Sequence, residues 1–408
     1  NVNGVIKAKG TGLVNLNLAN NGLTISAAGD ITSSAGAVFI AATNLDSAGD
    51  ITTGSGNVSF GSALNPVGDM AIKSTTGNVS FGIVTASSKN LSVTTGGTVS
   101  MTNLINLVSG NLTVSGGGDV TFSNSVTAGS VNVKSTAGDV TFANTVTTSQ
   151  VGGFTSEATL STKATKIADA VTVNNGANAL VTGNLVVTSS LSGVITSSTG
   201  SISITGKVDA ANAGDDLALV SVNGAITIGG AVGSASTAMG DLVASGNTSF
   251  TASGAVTVSK LNLNQGAKFG SAINFAEVVK ATGTLGAVSI TSSGSGTINF
   301  AKSIEVTNST AIIRLTSVGG SLTVSGNITG KDDVKINSTS GEINIGGITT
   351  DQNDGSVEVI SDTGNITVSG PISTSGSGGV EDITIDTNIS GNIVVNGNIS
   401  TTGDGSIY

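Results

Sequence analysis

Any metal in this chain must be held by oxygen. The sequence contains no His, no Cys and no Trp. A Ser-His-Asp triad, a thiolate nucleophile and an imidazole or thiolate zinc site are therefore all excluded. What remains are carboxylates, amides and hydroxyls, and they gather in two places. One is a column of residues that each follow a glycine: Asn57, Asn78, Thr98, Asp119 and Asp139. The other is the stretch 331–408, where eleven acids face only Lys331 and Lys335, so that 2 − 11 = −9 of the chain's net −10 lies there.

Oxygen donors suit hard cations, and the ion this donor set would take is Ca²⁺. The ligands best placed for it are Asp351, Asn353 and Asp354 in "DQNDG", which is one residue short of the DxNxDG spacing of a calcium loop. No other cofactor is expected. Both clusters also have a plainer reading. Asn and Asp tolerate tight turns and hydrogen-bond their own backbone. An acidic edge keeps a chain with only 10% charged residues in solution.

Enzymatic readings find less support. Cleavage of an acidic polysaccharide by a β-helix needs Asp, Lys and Arg gathered on one face, and Arg314 is the one arginine among 15 basic residues. No Asp/Glu pair stands out for glycoside hydrolysis. Thr-x-Thr rows that could order ice are not aligned at Ser80, Thr102, Thr121 and Thr141. The basic residues form no clustered footprint for nucleic acid. Mean hydropathy is +0.31, yet no apolar run approaches the length of a membrane-spanning helix. Alternation lasts too few residues for a transmembrane barrel strand. The first residues, "NVNGVIKAKGTG", lack the apolar core of an export signal.

The elements that carry these residues follow from a repeat. "TGSGNVSFG" (53–61) returns as "STTGNVSFG" (74–82), "SGGGDVTFS" (115–123) and "STAGDVTFA" (135–143). Gly56, Gly77, Gly97, Gly118 and Gly138 are 21, 20, 21 and 20 residues apart, and Phe60, Phe81, Met101, Phe122 and Phe142 keep the same steps. A further strand precedes each phrase: "MAIK" (70–73), "LSVT" (91–94), "LTVS" (112–115) and "VNVK" (131–134). A period near 20 holding two or three short alternating strands fits one coil of a parallel β-solenoid. The fold class is thus all-β, with the Phe/Met column stacked inside and the glycines at a corner whose φ/ψ resists side chains.

At about 22 residues per coil the chain makes roughly 18–19 coils. Regular 20–21-residue coils run from about 50 to 145. Residues 150–180 hold an irregular coil, an insertion or a helical turn near 157–170. Longer coils with acidic turns occupy about 320–408, where Ile343, Ile366 and Ile393 are 23 and 27 residues apart. Without a composition break, one elongated solenoid over 1–408 is the expected organisation. The last residues, "GSIY", have the pattern of a further strand.

The stretches "GNLTVSGGGDVTF" (110–122), "GSVNVKSTAGDVTF" (129–142) and "GNITVSGPI" (364–372) resemble filamentous-haemagglutinin-like exoproteins and autotransporter passenger domains. The resemblance spans nearly the whole chain and carries no catalytic motif. It implies a right-handed parallel β-helix, non-enzymatic, secreted and displayed on a bacterial cell surface as adhesin, stalk or fibre. Expected partners are further copies stacked end to end, the remainder of a longer chain, and host or neighbouring-cell surfaces or glycans. A membrane span is not expected. The alternative is a carbohydrate-active β-helix or a carbohydrate-binding surface.

Overall fold

A computed structural model describes residues 1–18, 21–188, 193–233, 239–246, 248–263, 272–282, 287–292, 295–351, 355–375, 382–402 and 405–408. Within them every strand pairing is parallel and there is no helix. The protein is an all-β parallel β-solenoid. Its contacts divide it into two compact units, Asn1–Ser189 with Gly193–Gly200, and Ser201–Tyr408 with Ser190–Ser192.

In the first unit each coil contributes three strands, and equivalent strands of successive coils pair in register. On the first face nine strands follow one another, from Ile6–Ala8 to Ala179–Thr182. The strands Met70–Ser74, Leu91–Thr95, Leu112–Gly116 and Val131–Ser135 include the four that precede the repeated phrase. The phrase forms the second face, where Val79, Val99, Val120 and Val140 are successive partners. Short strands such as Leu64–Pro66 and Val84–Thr85 make the third. Alternation explains the burial: in Val120–Phe122 the two apolar ends are inside and Thr121 faces out.

The core of this unit is the column the spacing predicts. Phe81, Met101, Phe122 and Phe142 are consecutive register partners and are at most 2% exposed. The rings of Phe60 and Phe81 stack with centroids 4.9 Å apart, and those of Phe122 and Phe142 at 4.8 Å and 5°. Ring spacing equals strand spacing because each coil advances the chain by one strand.

The glycine corner has a different cause from the one expected. None of Gly56, Gly77, Gly97, Gly118 or Gly138 has a positive φ. What excludes a side chain is the coil below: a Cβ on Gly77 would lie 2.2 Å from the Gly56 carbonyl oxygen. The strand-end hydroxyl completes this corner. Ser74 Oγ donates to the Gly56 carbonyl at 2.9 Å and accepts from Gly77 N–H at 2.9 Å. Ser135 does the same for Gly118 and Gly138, both at 2.8 Å. Ser74 and Ser135 are thus satisfied at the core edge, as buried polar groups require, whereas the buried Ser33 Oγ in the same column has no partner among the described residues.

Residues 150–180 contain no helical turn. Phe154–Ala158, Ala164–Ile167 and Ala170–Val173 are strands of an ordinary coil, lengthened by the turn between the first two. Thr165 takes the level held by Val140 below it, and this buried hydroxyl is matched by Ser156 Oγ at 2.8 Å. Alternation pulls the segment into strands because in-register pairing supplies backbone partners that a single helical turn would leave unmade.

The second unit repeats the arrangement with longer coils. Ile202, Ile226, Phe250, Ile273, Ile298, Leu322, Ile343, Ile366 and Ile393 are successive partners on one face. Phe275 and Phe300 stack at 4.7 Å inside it. The hydroxyl–glycine corner recurs: Ser338 Oγ donates to the Gly341 carbonyl and accepts from its N–H, both at 2.9 Å. "GSIY" pairs as its pattern suggests, with Ile407 bridged to Ile383 and Tyr408 N–H donating to the Ile383 carbonyl at 2.9 Å.

Phe122→Ala should cost about 3–5 kcal/mol in denaturant unfolding, because coils above and below prevent the cavity from collapsing. Gly77→Ala should cost about 1–3 kcal/mol by overpacking against the Gly56 carbonyl. An unchanged midpoint for either would contradict the stacking.

Candidate functional site

The column Asn57, Asn78, Thr98, Asp119, Asp139 is a hydrogen-bond ladder. Asn57 Oδ1 accepts from Asn78 N–H at 2.8 Å, and Asn78 Oδ1 accepts from Thr98 N–H at 2.8 Å. Asp119 Oδ1 takes Asp139 N–H at 2.9 Å, and Asp139 Oδ1 takes Ala164 N–H at 2.9 Å. Asn57, Asn78, Asp119 and Asp139 thus each satisfy a backbone donor one coil later. Outside the strands such donors have no ladder partner, so the Asx side chain replaces it. These oxygens serve the turn.

A second ladder escaped the reading of the sequence. Asp30 Oδ1 accepts from Asp50 N–H at 3.0 Å, and Asp50 Oδ1 from Ala71 N–H at 2.8 Å. Asp69 continues it by taking both the N–H and the side-chain amide of Asn90 at 3.0 Å. The backbone bond from Asn90, then its side-chain bond, hold the Asp69 carboxyl below the ordinary range. The signal was present: "GDIT" at 29–32 recurs at 49–52, twenty residues on.

Among the described residues, the acids of 331–408 do not converge on one point. Asp351 is paired with Lys331, whose Nζ lies 2.5 Å from its Oδ2. Asn353 and Asp354, the other two residues of the expected Ca²⁺ loop, lie outside the described residues, as do Glu381 and Asp404. Asp333 Oδ1 accepts from Ser356 N–H at 3.1 Å, and Asp382 Oδ1 from Ser406 N–H at 2.9 Å. Asp362 Oδ1 accepts from the Asn388 amide at 2.7 Å. Among the described residues, no group of three or more His, Cys, Asp or Glu is arranged to hold a metal ion.

Two carboxylates in the first unit are set by lysines. Burial works against the charge of Asp139, but the Lys166 ammonium at 2.8 Å and the Ala164 N–H outweigh it and keep the carboxyl below its usual range. Lys134, also at 2.8 Å, does the same for Glu157, with burial opposing. In the second unit the direction reverses. Burial pushes Asp241 up, and the neighbouring Asp216 charge adds to it while Lys260 opposes. Burial likewise raises Asp209, whose Oδ1 has no hydrogen-bond partner among the described residues.

The acidic stretch, with Asp351 engaged by Lys331, is expected to melt at the same temperature with and without a chelator. A melting temperature that rises with Ca²⁺ concentration, and no longer does so in Asp351→Asn, would instead support a site at Asp351, Asn353 and Asp354. For Asp241 the sign follows from its raised folded pKa. Above the ordinary value of 3.8 the folded state binds more protons than the unfolded one, so this group lowers stability as pH rises. Asp241→Asn should therefore raise the melting temperature at neutral pH, and the gain should vanish below that value. An equal gain at both would exclude ionisation as the cause.

Compared with known proteins, the chain matches no family model, no curated protein and no solved structure.

Proposed function

We propose that this β-solenoid scaffold is a non-enzymatic structural or adhesive protein. On this reading it is secreted, displayed on a bacterial cell surface as stalk or fibre, and self-associates end to end or continues into a longer chain. One observation carries the reading: several of the carboxylates that could do chemistry are engaged between coils. Asp30, Asp50, Asp119, Asp139, Asp333 and Asp382 each accept a backbone N–H from the next coil. A catalytic acid must present its carboxyl to substrate, and a carboxylate oxygen that already accepts a backbone N–H is less available for that. The filamentous-haemagglutinin-like resemblance of the repeated phrases supports surface display. No helix among the described residues is long and apolar enough to cross a membrane.

Electron micrographs of the native assembly on cells and after release should show fibres or stalks bearing this chain. Incubation with neutral and acidic polysaccharides should release no new reducing ends. Chain confined to the cytoplasm would overturn the surface role, and saccharide cleavage lost on substituting a single carboxylate would establish the enzymatic alternative.

A further inference from the structure

We propose that a groove across the third face of the first unit binds a neutral oligosaccharide. This goes beyond the scaffold role and does not depend on it. The groove has a volume of about 500 Å³ and crosses four successive coils, at Asn44–Asp46, Ala63–Asn65, Thr85–Ser87 and Asn106. The levels are fixed by register, with Leu45 on Leu64, Leu64 on Val84 and Val84 on Ile105. Three coil steps span about 14 Å at strand spacing, room for a short run of sugar rings laid along the stack.

The lining decides the class of ligand. Asn44 and Asn65 offer amides that both donate and accept, Asn106 offers its Nδ2 while its Oδ1 accepts from Val108 N–H at 3.2 Å, and Thr85 and Ser87 add hydroxyls. Sugar hydroxyls are likewise donor and acceptor at once, so they match such a set. Asp46 is the one charged residue of the lining, and its Oδ1 already accepts from Asn65 Nδ2 at 2.7 Å. That pair fixes the Asn65 amide, and the carboxylate repels uronates and sulfated sugars. An extended peptide is disfavoured because the backbone here is already paired. Leu64, Val84, Ala86 and Ile105 donate their N–H groups to the next coil at 2.8–3.0 Å, leaving no edge for strand addition.

The turns that follow the lining residues Ser87 and Asn106 are held in an unusual conformation. Ser88 and Val108, on adjacent coils, have φ of 63° and 53°, which for a β-branched residue such as Val108 is an outlier. Their turns are fastened from several sides. Ser88 Oγ and Ser109 Oγ lie 2.6 Å apart, Ser149 Oγ donates to the Val108 carbonyl at 3.2 Å, and Gln150 Nε2 donates to the Ser109 carbonyl at 2.8 Å. Local conformations of this kind persist only where the surroundings enforce them, and they cluster at ligand clamps. Here they keep the turns standing beside Ala86 and Ser87.

The test is titration of the full chain with trisaccharides of glucose, galactose and mannose, a uronate trisaccharide and a Ser/Gly-rich peptide. At least one neutral trisaccharide should bind, and the uronate and the peptide should not. Asn65→Ala and Thr85→Trp should each weaken binding about tenfold or more. Thr94→Trp, on the first face, should leave it unchanged. Thr85 and Thr94 are both exposed, so neither substitution disturbs the core, and melting curves check that folding is intact. Absence of binding by any neutral trisaccharide, preference for the uronate or the peptide, or equal binding by all three variants would each overturn the proposal.

Discussion

Everything in this protein depends on one spacing. Each coil must lie one strand separation above the last, so that backbone N–H groups of one coil meet carbonyls of its neighbour. Where strands run, the ladder forms without help. Where the chain turns, the same spacing becomes a steric and hydrogen-bonding demand, and the composition answers it. Gly77 sits where even a methyl group would strike the Gly56 carbonyl. Asn57 and Asn78 carry an oxygen to the N–H that the turn would otherwise leave bare. Ser74 closes the corner from the inside.

The same demand engages side chains with chemical capacity. A carboxylate in the register of Asp119 or Asp139 is spent on a neighbouring backbone, and Lys166 fixes Asp139 further. Carboxylates outside this pattern behave differently. Asp241 lies against Asp216 and is pushed toward its neutral form by burial, while Asp209 keeps one oxygen without a partner among the described residues. Surface pairs such as Lys134–Glu157 are worth at most about 1 kcal/mol. Cohesion comes instead from the interior columns, where Phe122 and Phe142 exclude water and stack face on face.

Function in a solenoid is then left to places where the stacking is locally broken. The groove beside Asn65 and Thr85 lies next to the turns at Ser88 and Val108, whose φ is positive. There Asn65 Nδ2 donates to Asp46 on the neighbouring coil, and Asn44, Thr85 and Ser87 line the opening beside that pair. The long acidic coils distribute their carboxylates among ladder contacts and a lysine pair.

The sequence by itself determined the period, the strand positions and the interior columns. Glycine, valine and phenylalanine steps of 20 and 21 residues leave one way to align coils, and a one-residue slip would turn Phe122 to solvent. It also determined that neither histidine nor cysteine chemistry was open. It did not reveal why the corner glycines are required, since close approach to another coil is a property of the stack and not of local φ. Nor could it follow the phrase through the irregular stretch. In most coils of the first unit the hydroxyl–glycine corner follows a first-face strand, but Ser197, which caps Gly200 at 2.9 Å, ends a strand stacked on the third-face strand Ala170–Val173. The chain has advanced one face, and only the tertiary pairing decides this, because strands of equal pattern fit any face and the partner beneath selects among them.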